Sequence, residues 1–384
     1  MLMKTLIVLV SLFVVDIFAS SLFEKRVSSQ SYNYNNLGQN ISISRDIDGD
    51  GKSDYVKTLS YDKQNMLKTI SEDIDGDGEI NIRSTYHYDA KGRTLESVFE
   101  NHDDPTQNWK ISYTYDQQGK KLSEKYEHPK SNKYGTSVLY RYTYGSHGNI
   151  IKYTIDKKVD GTIDETRFYH YGEQDELLQE RYDQTGDGKD NYRATFTYDA
   201  ALRLVSQNVD SNADGKTDWK RLIVYHKNGK VLRESIDQTG DGKIDRIFMT
   251  KYNAKNQLIA EMIDRNGDGM INSISLYTYR DNGKVATALQ DNKNDGKIEL
   301  FSTYEYNEQG NTLHAYDDKN GDGTIDREYH YEYNEQNKMV LLREKFKRAE
   351  KQHYRTVTYA YNDKGKLLNT RTEETITNTR KKSP

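Results

Sequence analysis

The sequence predicts an all-β fold in which tandem antiparallel β-hairpins form an elongated, twisted or coiled sheet. Three observations predict it: a Tyr recurs about every 27 residues, a turn-forming residue stands four positions after each of these Tyr, and apolar and polar residues alternate before them. Repeats at a fixed period and strands with a period of two are the signature of a β-repeat protein. Each observation belongs to one part of the repeating unit.

A repeated Tyr ends the first strand of each unit, and in most copies another Tyr or a Phe precedes it by two positions. Successive copies are 27, 27, 29, seven times 27 and then 28 residues apart. Twelve copies in one register predict twelve hairpins, or about 24 strands. The twelve residues are Tyr61, Tyr88, Tyr115, Tyr144, Tyr171, Tyr198, Tyr225, Tyr252, Tyr279, Tyr306, Tyr333 and Tyr361.

A tight turn follows each repeated Tyr. The residue four positions later is Gly in seven copies, Asn or Asp in four, and Leu202 in one. Gly, Asn and Asp tolerate a positive φ, which a hairpin loop needs when a type I turn is closed by a left-handed residue. The sequence therefore predicts a short hairpin turn after each repeated Tyr.

The core of this sheet is expected to be aromatic. Only 34% of the residues are hydrophobic and the mean hydropathy is −1.00, which argues against a thick aliphatic core, whereas Tyr occurs 32 times. Between residues 325 and 333, most residues at the odd-numbered positions are aromatic, and those at the even-numbered positions are polar. Because Tyr buries its ring and has a polar tip, we expect a tyrosine stripe with its hydroxyls in water.

The second connection of each unit is acidic. Nine copies follow the pattern Asp-x-[Asp/Asn/Thr]-x-Asp-Gly-x-x-[Asp/Asn/Glu], with Lys at the third position in two of them. Ca²⁺ takes six to eight oxygen ligands, positions 1, 3, 5 and 9 of such a loop supply side-chain oxygens, and Gly at position 6 permits the sharp turn. The nine acidic loops begin at Asp46, Asp73, Asp156, Asp183, Asp210, Asp237, Asp264, Asp291 and Asp318.

The predicted metal ligands are the Asp and Asn residues at positions 1, 3, 5 and 9 of seven acidic loops. The loops from Asp46, Asp73 and Asp318 rank first. Lys158 and Lys293 remove a ligand from two other loops, which are the candidates for empty sites. The alternative is that all nine are plain Asp-Gly turns. The predicted ligands are Asp46, Asp48, Asp50, Asp54, Asp73, Asp75, Asp77, Asn81, Asp183, Asp187, Asn191, Asp210, Asn212, Asp214, Asp218, Asp237, Asp241, Asp245, Asp264, Asn266, Asp268, Asn272, Asp318, Asn320, Asp322 and Asp326.

Two resemblances follow from these motifs. The acidic loop resembles the calcium loops of EF-hands, dockerins and thrombospondin type 3 repeats, although position 12 is Lys57 in the first copy rather than the bidentate Glu of an EF-hand. The hairpin unit from Tyr86 to Arg93 resembles the YD repeats of Rhs-type proteins. That resemblance implies a hairpin scaffold, and a six-bladed β-propeller is the alternative architecture.

The N-terminus predicts export. Lys4, an apolar run over residues 5–15 and small residues at 19–21 are typical of a signal peptide. The predicted organisation is a signal peptide at 1–21, an N-terminal segment at 22–40, a twelve-unit repeat domain with calcium loops at 41–368 and a polar tail at 369–384. We expect an exported protein, periplasmic, cell-surface or extracellular, without a membrane anchor.

Composition narrows the class of function. The absence of cysteine excludes disulfides and thiolate chemistry. A net charge of −4 argues against a nucleic-acid partner. Removing the 26 carboxylates at positions 1, 3, 5 and 9 of the acidic loops changes that charge to +22. The acidic charge is therefore concentrated in the loops, and the rest of the surface is basic.

The expected function is that of a calcium-binding β-repeat protein that acts as a non-enzymatic binding or surface-scaffold module. Its cofactor would be several calcium ions, and its partner an unidentified extracellular protein or glycan, with the oligomeric state left open. Two alternatives are a calcium-dependent enzyme acting on extracellular polymers, with the irregular stretch 100–140 as the place to look, and a component of a YD/Rhs-type toxin-delivery or contact system. The nine scattered histidines are expected to lie apart.

Overall fold

A computed structural model describes residues 23–128, 137–348 and 351–378. The predicted signal peptide, residues 1–21, lies outside the described residues. The regular secondary structure of the described chain is β-strand, apart from one short 3-10 helix at Pro105–Gln107. No helix within these ranges is long and apolar enough to cross a membrane.

The strands follow one another along the chain in hairpins. The first half contains β1 (Phe23–Tyr34), β2 (Asn40–Asp46), β3 (Tyr55–Tyr61), β4 (Leu67–Asp73), β5 (Ile82–Tyr88), β6 (Thr94–Asn101), β7 (Trp109–Tyr115), β8 (Lys121–Glu127), β9 (Val138–Tyr144), β10 (Ile150–Asp156), β11 (Glu165–Tyr171), β12 (Leu177–Asp183) and β13 (Tyr192–Tyr198). The second half contains β14 (Leu204–Asp210), β15 (Trp219–Tyr225), β16 (Val231–Asp237), β17 (Arg246–Tyr252), β18 (Leu258–Asp264), β19 (Ser273–Tyr279), β20 (Val285–Asp291), β21 (Leu300–Tyr306), β22 (Thr312–Asp318), β23 (Arg327–Tyr333), β24 (Met339–Arg348), β25 (Lys351–Tyr361) and β26 (Leu367–Asn378).

The hairpins form one antiparallel sheet that closes on itself. Each strand pairs with its neighbours in the chain, and β1 pairs with β26 in a continuous register from Phe23 and Thr377 to Ser31 and Asn369. The prediction of tandem antiparallel hairpins is confirmed, whereas the open, elongated or coiled sheet and the six-bladed propeller are both wrong. Closure pairs the backbone groups that an open sheet would leave exposed along its two edge strands.

A thirteenth hairpin completes the ring. Tyr34 stands 27 residues before Tyr61, and Gly38, four residues after it, has a φ of 75°. Strands β1 and β2 therefore form one more unit of the same kind, which raises the count from twelve hairpins to thirteen. The sheet reaches into both segments outside the predicted repeat, since β1 lies in residues 22–40 and most of β26 in 369–384.

The predicted tight turn is confirmed. The residue four positions after each repeated Tyr has a positive φ in every unit, including Leu202, whose φ is 57°. In the turn that follows Tyr88, the amide of Gly92 donates to the carbonyl of Asp89 at 3.0 Å. The left-handed residue is thus a requirement of the turn, and Gly, Asn and Asp satisfy it at the lowest cost.

Eleven of the thirteen repeated Tyr hydroxyls donate to a backbone carbonyl, whereas they were expected to lie in water. Tyr88 on β5 donates to the carbonyl of Leu67 on β4 at 2.7 Å, and burial raises its pKa. The next unit repeats the bond between Tyr115 and Thr94. The hydroxyls that make this bond to the preceding strand belong to Tyr34, Tyr61, Tyr88, Tyr115, Tyr144, Tyr198, Tyr225, Tyr279, Tyr306, Tyr333 and Tyr361.

The ring is wide and its core is thin. At about 4.8 Å per strand, a round ring of 26 strands has a diameter of at least about 40 Å, which side chains cannot fill. Stability therefore comes from contacts along the sheet rather than from a central core. Among the described residues the buried apolar side chains are Ile111, Ala194, Ile223, Ile247, Ala260, Ala315, Leu341, Val357 and Ile376.

Candidate metal site at the acidic rim

Antiparallel pairing places all nine acidic loops on one rim of the ring, here called the acidic rim. Each acidic loop joins the second strand of one hairpin to the first strand of the next, as the loop between β2 and β3 does. The tight turns occupy the opposite rim.

The first Asp of each loop closes the loop on itself. The carboxylate of Asp264 is 1% exposed, and its two oxygens accept from the amides of Gly267 at 2.7 Å and Gly269 at 2.8 Å. The bond from the amide at position 6 to the Asp at position 1 occurs in all nine loops. Position 1 thus has a structural role in every acidic loop.

Positions 5 and 9 are anchored in the same way. The amide of Met270 donates to Asp268 at 2.7 Å, and the amide of Arg265 donates to the side chain of Asn272 at 2.5 Å. Both bonds recur in every loop. A hydrogen bond to one side-chain oxygen therefore fixes the orientation of the residues at positions 5 and 9.

Three loops bring three carboxylates together. One ligand oxygen from each carboxylate lies within 4.8 Å of the others in the groups Asp46–Asp48–Asp50 and Asp73–Asp75–Asp77. The third group is Asp291, Asp295 and Glu299, in a loop that Lys293 had placed among the candidates for empty sites. Across the described ranges, no other three His, Asp or Glu side chains come this close.

The other predicted ligands lie on the same rim in loops of the same hydrogen-bonding pattern. In the loop that begins at Asp318, position 3 is Asn320, whose side-chain Nδ2 donates to Asp322 at 3.0 Å. Position 3 of this loop therefore carries an amide rather than a third carboxylate. The ligands in these loops are Asp183, Asp187, Asn191, Asp210, Asn212, Asp214, Asp218, Asp237, Asp241, Asp245, Asp264, Asn266, Asp268, Asn272, Asp318, Asn320, Asp322 and Asp326; Asp54 and Asn81 hold position 9 of the first two loops.

Hydrogen bonds favour the charged form of several rim carboxylates. The hydroxyl and amide of Ser211 lower the pKa of Asp218, and the amide of Thr324 lowers that of Asp322. Burial opposes ionisation of Asp183, but amides of its own loop, Gly188 foremost, outweigh it and lower its pKa. These carboxylates are therefore ionised at neutral pH and present negative charge to the rim.

No role was predicted for position 4, yet in six of the nine loops it contacts position 8 of the preceding acidic loop. A Cβ on Gly267 would lie 1.6 Å from the carbonyl oxygen of Ile244, at position 8 of the preceding loop. In the loop from Asp291 the side chain of Asn294 instead donates to the carbonyl of Ile271 at 2.8 Å. Position 4 has a positive φ in all nine loops and is Gly in six, a signal that the sequence contained.

Two histidines that were expected to lie apart are neighbours. His314 on β22 is directly opposite His330 on β23, and their ring centroids are 4.8 Å apart. The expectation was wrong because the last strand of one unit pairs directly with the first strand of the next. Histidines on β22 and β23 can therefore face each other although they belong to successive units. Neither histidine belongs to the three groups of carboxylates described above.

The fold and its rim define a class of protein: a closed barrel of tandem β-hairpins with acidic loops along one rim. No protein-family model and no curated protein matches the chain. The crystal structure of TcdB2-TccC3-TEV aligns with a TM-score of 0.47 and 15% identity, covering 87% of this chain and 18% of that chain.

Two further solved structures align over a similar span. The Photorhabdus luminescens Tc holotoxin pore has a TM-score of 0.42 and 15% identity, covering 87% of this chain and 18% of that chain. For TcdB2-TccC3 the TM-score is 0.42 and the identity 13%, covering 88% and 22%. This chain thus spans about a fifth of the length of those chains.

Proposed function

We propose that this protein is an exported, non-enzymatic β-barrel scaffold whose acidic rim binds several calcium ions. The observation that carries the proposal is the convergence of three carboxylates in each of three loops that share one backbone path. One oxygen of each position 5 carboxylate accepts a loop amide, as in Asp50 and Asp77, and the other oxygen is left to face an ion. Calcium supplies a reason for the presence of these carboxylates.

The donor set suits calcium rather than a softer metal. The converging groups are carboxylates, the hard oxygen ligands that Ca²⁺ prefers, and the chain has no cysteine. Asp46, Asp48 and Asp50 would hold one ion and Asp73, Asp75 and Asp77 another. A bound ion would neutralise carboxylates that otherwise repel one another along the rim.

Calcium titration of paired variants tests the proposal. Lys stands naturally at position 3 in two loops of the same backbone path, so Asp48→Lys and Asp75→Lys are compatible with the fold. Isothermal titration of calcium into the double variant should show two fewer ions bound than the wild type. Magnesium should bind weakly, because it requires near-ideal octahedral geometry and dehydrates reluctantly.

The matched control is Asp62→Lys, which makes the charge change of either single substitution in a tight turn on the opposite rim. Asp62 caps that turn by accepting from the amides of Gln64 and Met66, so circular dichroism should first show that the control is folded. Calcium stoichiometry equal to that of the wild type is expected for the control. Equal stoichiometry in all three proteins would refute the rim as the calcium site.

A second candidate function is that of a component in a YD/Rhs-type toxin-delivery or contact system. The observation that favours it is the closure of YD-like hairpins into a ring at least about 40 Å wide, which is wide enough to surround a polypeptide. Co-expression with the products of adjacent genes, followed by protease treatment of the purified complex, tests it. A partner polypeptide protected by the ring would support this function, and purification of the ring alone would count against it.

A further inference from the structure

The polar face of β12 and β13 carries a departure from the repeat. Arg181 and Arg193 are directly opposite each other in the antiparallel register. Two like charges at such a pair destabilise a sheet unless another group compensates them. The pair therefore requires an explanation beyond the repeating unit.

Asp190 compensates the pair. Nε of Arg193 donates to its carboxylate at 2.9 Å, and a guanidinium nitrogen of Arg181 lies 3.6 Å from the same oxygen. The side chain of Asp190 is 8% exposed, whereas those of Arg181 and Arg193 are 43% and 46% exposed. Asp190 stands at position 8 of its acidic loop, where the other eight loops have Ile, Thr or Ser. The carboxylate thus belongs to the arginine pair rather than to the repeat.

A recess of about 730 Å³ lies beside this group. Phe168 lines it, with the Lys152 ammonium 5.3 Å and the Arg181 guanidinium 4.9 Å from the ring centroid. Within the described part of the chain, Asp190 is the one carboxylate in the lining, which also includes His170, Gln179, Ile151 and Tyr169. Positive charge therefore exceeds negative charge around the recess.

The two guanidiniums retain donors for a ligand. Each guanidinium has five N–H groups, and Asp190 engages one nitrogen of each. The carboxylate opposite Arg193 on β14, Asp210, accepts from the amides of Asp214 and Gly215. Paired guanidinium groups with a fixed orientation are suited to bidentate recognition of phosphate and sulfate.

We propose that this recess binds a phosphate or sulfate group carried by an acidic glycan. Arg181 and Arg193 would hold the anion, and Phe168 would pack against the sugar. On the flanking strands, the same polar face carries further positively charged residues, namely Arg141, Lys220, Arg233 and Lys251. A nucleic acid fits less well, because its bases need successive aromatic platforms and the repeated Tyr alternate onto the opposite face of the sheet.

Isothermal titration with sulfated, phosphorylated and unmodified forms of one oligosaccharide tests the proposal. Both charged forms, or one of them, should bind, and the unmodified form should not. Arg193→Gln should weaken binding at least about tenfold, since it removes charge-assisted hydrogen bonds. Asp190→Asn should strengthen binding several-fold, because it removes the opposing carboxylate.

The matched control is Arg83→Gln. Arg83 stands five residues before Tyr88, as Arg193 stands five before Tyr198. On the preceding strand it is opposite Ser71 rather than another arginine, and on the following strand it is opposite a carboxylate, Glu100. Its binding should equal that of the wild type. If Arg193→Gln does not fold, Arg193→Lys replaces it as the test. Lysine keeps the positive charge but lacks the paired N–H donors of a guanidinium, so glycan binding should weaken while the melting temperature stays that of the wild type.

Three results would overturn the proposal. The first is equal binding of charged and unmodified oligosaccharides, and the second is an equal loss in Arg193→Gln and Arg83→Gln. Tighter binding of single-stranded DNA than of the charged glycans would overturn the assignment of the ligand class.

Discussion

The hydroxyl of Tyr34 donates to the carbonyl of Leu367 at 2.9 Å, although the two residues are 333 positions apart. The bond is the same one that Tyr88 makes to Leu67 inside the sheet. Lys366 repeats another interior contact, since its ammonium lies 5.3 Å from the Tyr34 ring centroid, as the Arg93 guanidinium lies 4.8 Å from that of Tyr115. The seam between β26 and β1 is therefore built from the contacts of the repeat.

Removing the seam hydroxyl should cost as much as removing an interior one. Tyr34→Phe leaves a carbonyl without its donor, and we expect a loss of about 1 kcal/mol in the free energy of unfolding. Tyr88→Phe, the matched interior variant, should lose a similar amount. Urea unfolding measures both losses. A loss in Tyr88→Phe with none in Tyr34→Phe would mean that the seam does not form in solution.

A disulfide across the seam should form readily. The amide nitrogen of Asn369 donates to the hydroxyl of Ser31 at 2.9 Å, and paired antiparallel residues have Cα separations within the disulfide range. The natural chain has no cysteine, so Ser31→Cys with Asn369→Cys creates the one possible bond. Peptide mapping after oxidation should recover the cross-linked pair. The control, Ser31→Cys with Ser206→Cys on β14, should yield none.

Adding a methyl group at position 4 of an acidic loop should be more costly than adding one at position 6. A Cβ on Gly267 meets the carbonyl of Ile244, whereas a Cβ on Gly269 meets nothing within 4 Å. Both have a positive φ, so we expect Gly269→Ala to lose about 1 kcal/mol and Gly267→Ala about 2–3 kcal/mol. Thermal unfolding compares them. Equal losses would contradict the packing of loop against loop.

Acid should remove a part of the stability that comes from the rim. The pKa of Asp218 is lowered from 3.8 by Ser211, so its ionised form stabilises the fold above that pH and the contribution is lost as the pH falls below it. Asp218→Asn should melt below the wild type at pH 7, and the gap should close toward about pH 2. Asn occupies position 9 in three other loops, so this variant should fold. A gap independent of pH would contradict the prediction.

Local signals made the hairpins predictable. The repeated Tyr and the left-handed residue four positions later define each turn within a few residues, and even Leu202 takes the required φ. The acidic loops were equally visible, because each is a contiguous stretch of nine residues. Strand, turn and rim therefore follow from the spacing of residues close in sequence.

Closure was not predictable from the same signals. It depends on pairing β1 with β26, and neither the spacing nor the alternation states which strands meet across the whole chain. The thirteenth hairpin has the same local signals in Tyr34 and Gly38, but no acidic loop precedes it in the chain. Arg181, Arg193 and Asp190 could not be connected either, because only the register places the two arginines opposite each other.

The central claim is that calcium binds the acidic rim of the folded ring and thereby stabilises it. Thermal unfolding by far-UV circular dichroism, with about 2 mM calcium or with excess chelator, tests this claim most directly, because extracellular calcium modules bind at roughly 0.1–1 mM. Each site whose dissociation constant is a tenth of the calcium concentration adds about 1.4 kcal/mol. Several sites should raise the melting temperature by several degrees, and magnesium should not. An unchanged melting temperature would contradict the account.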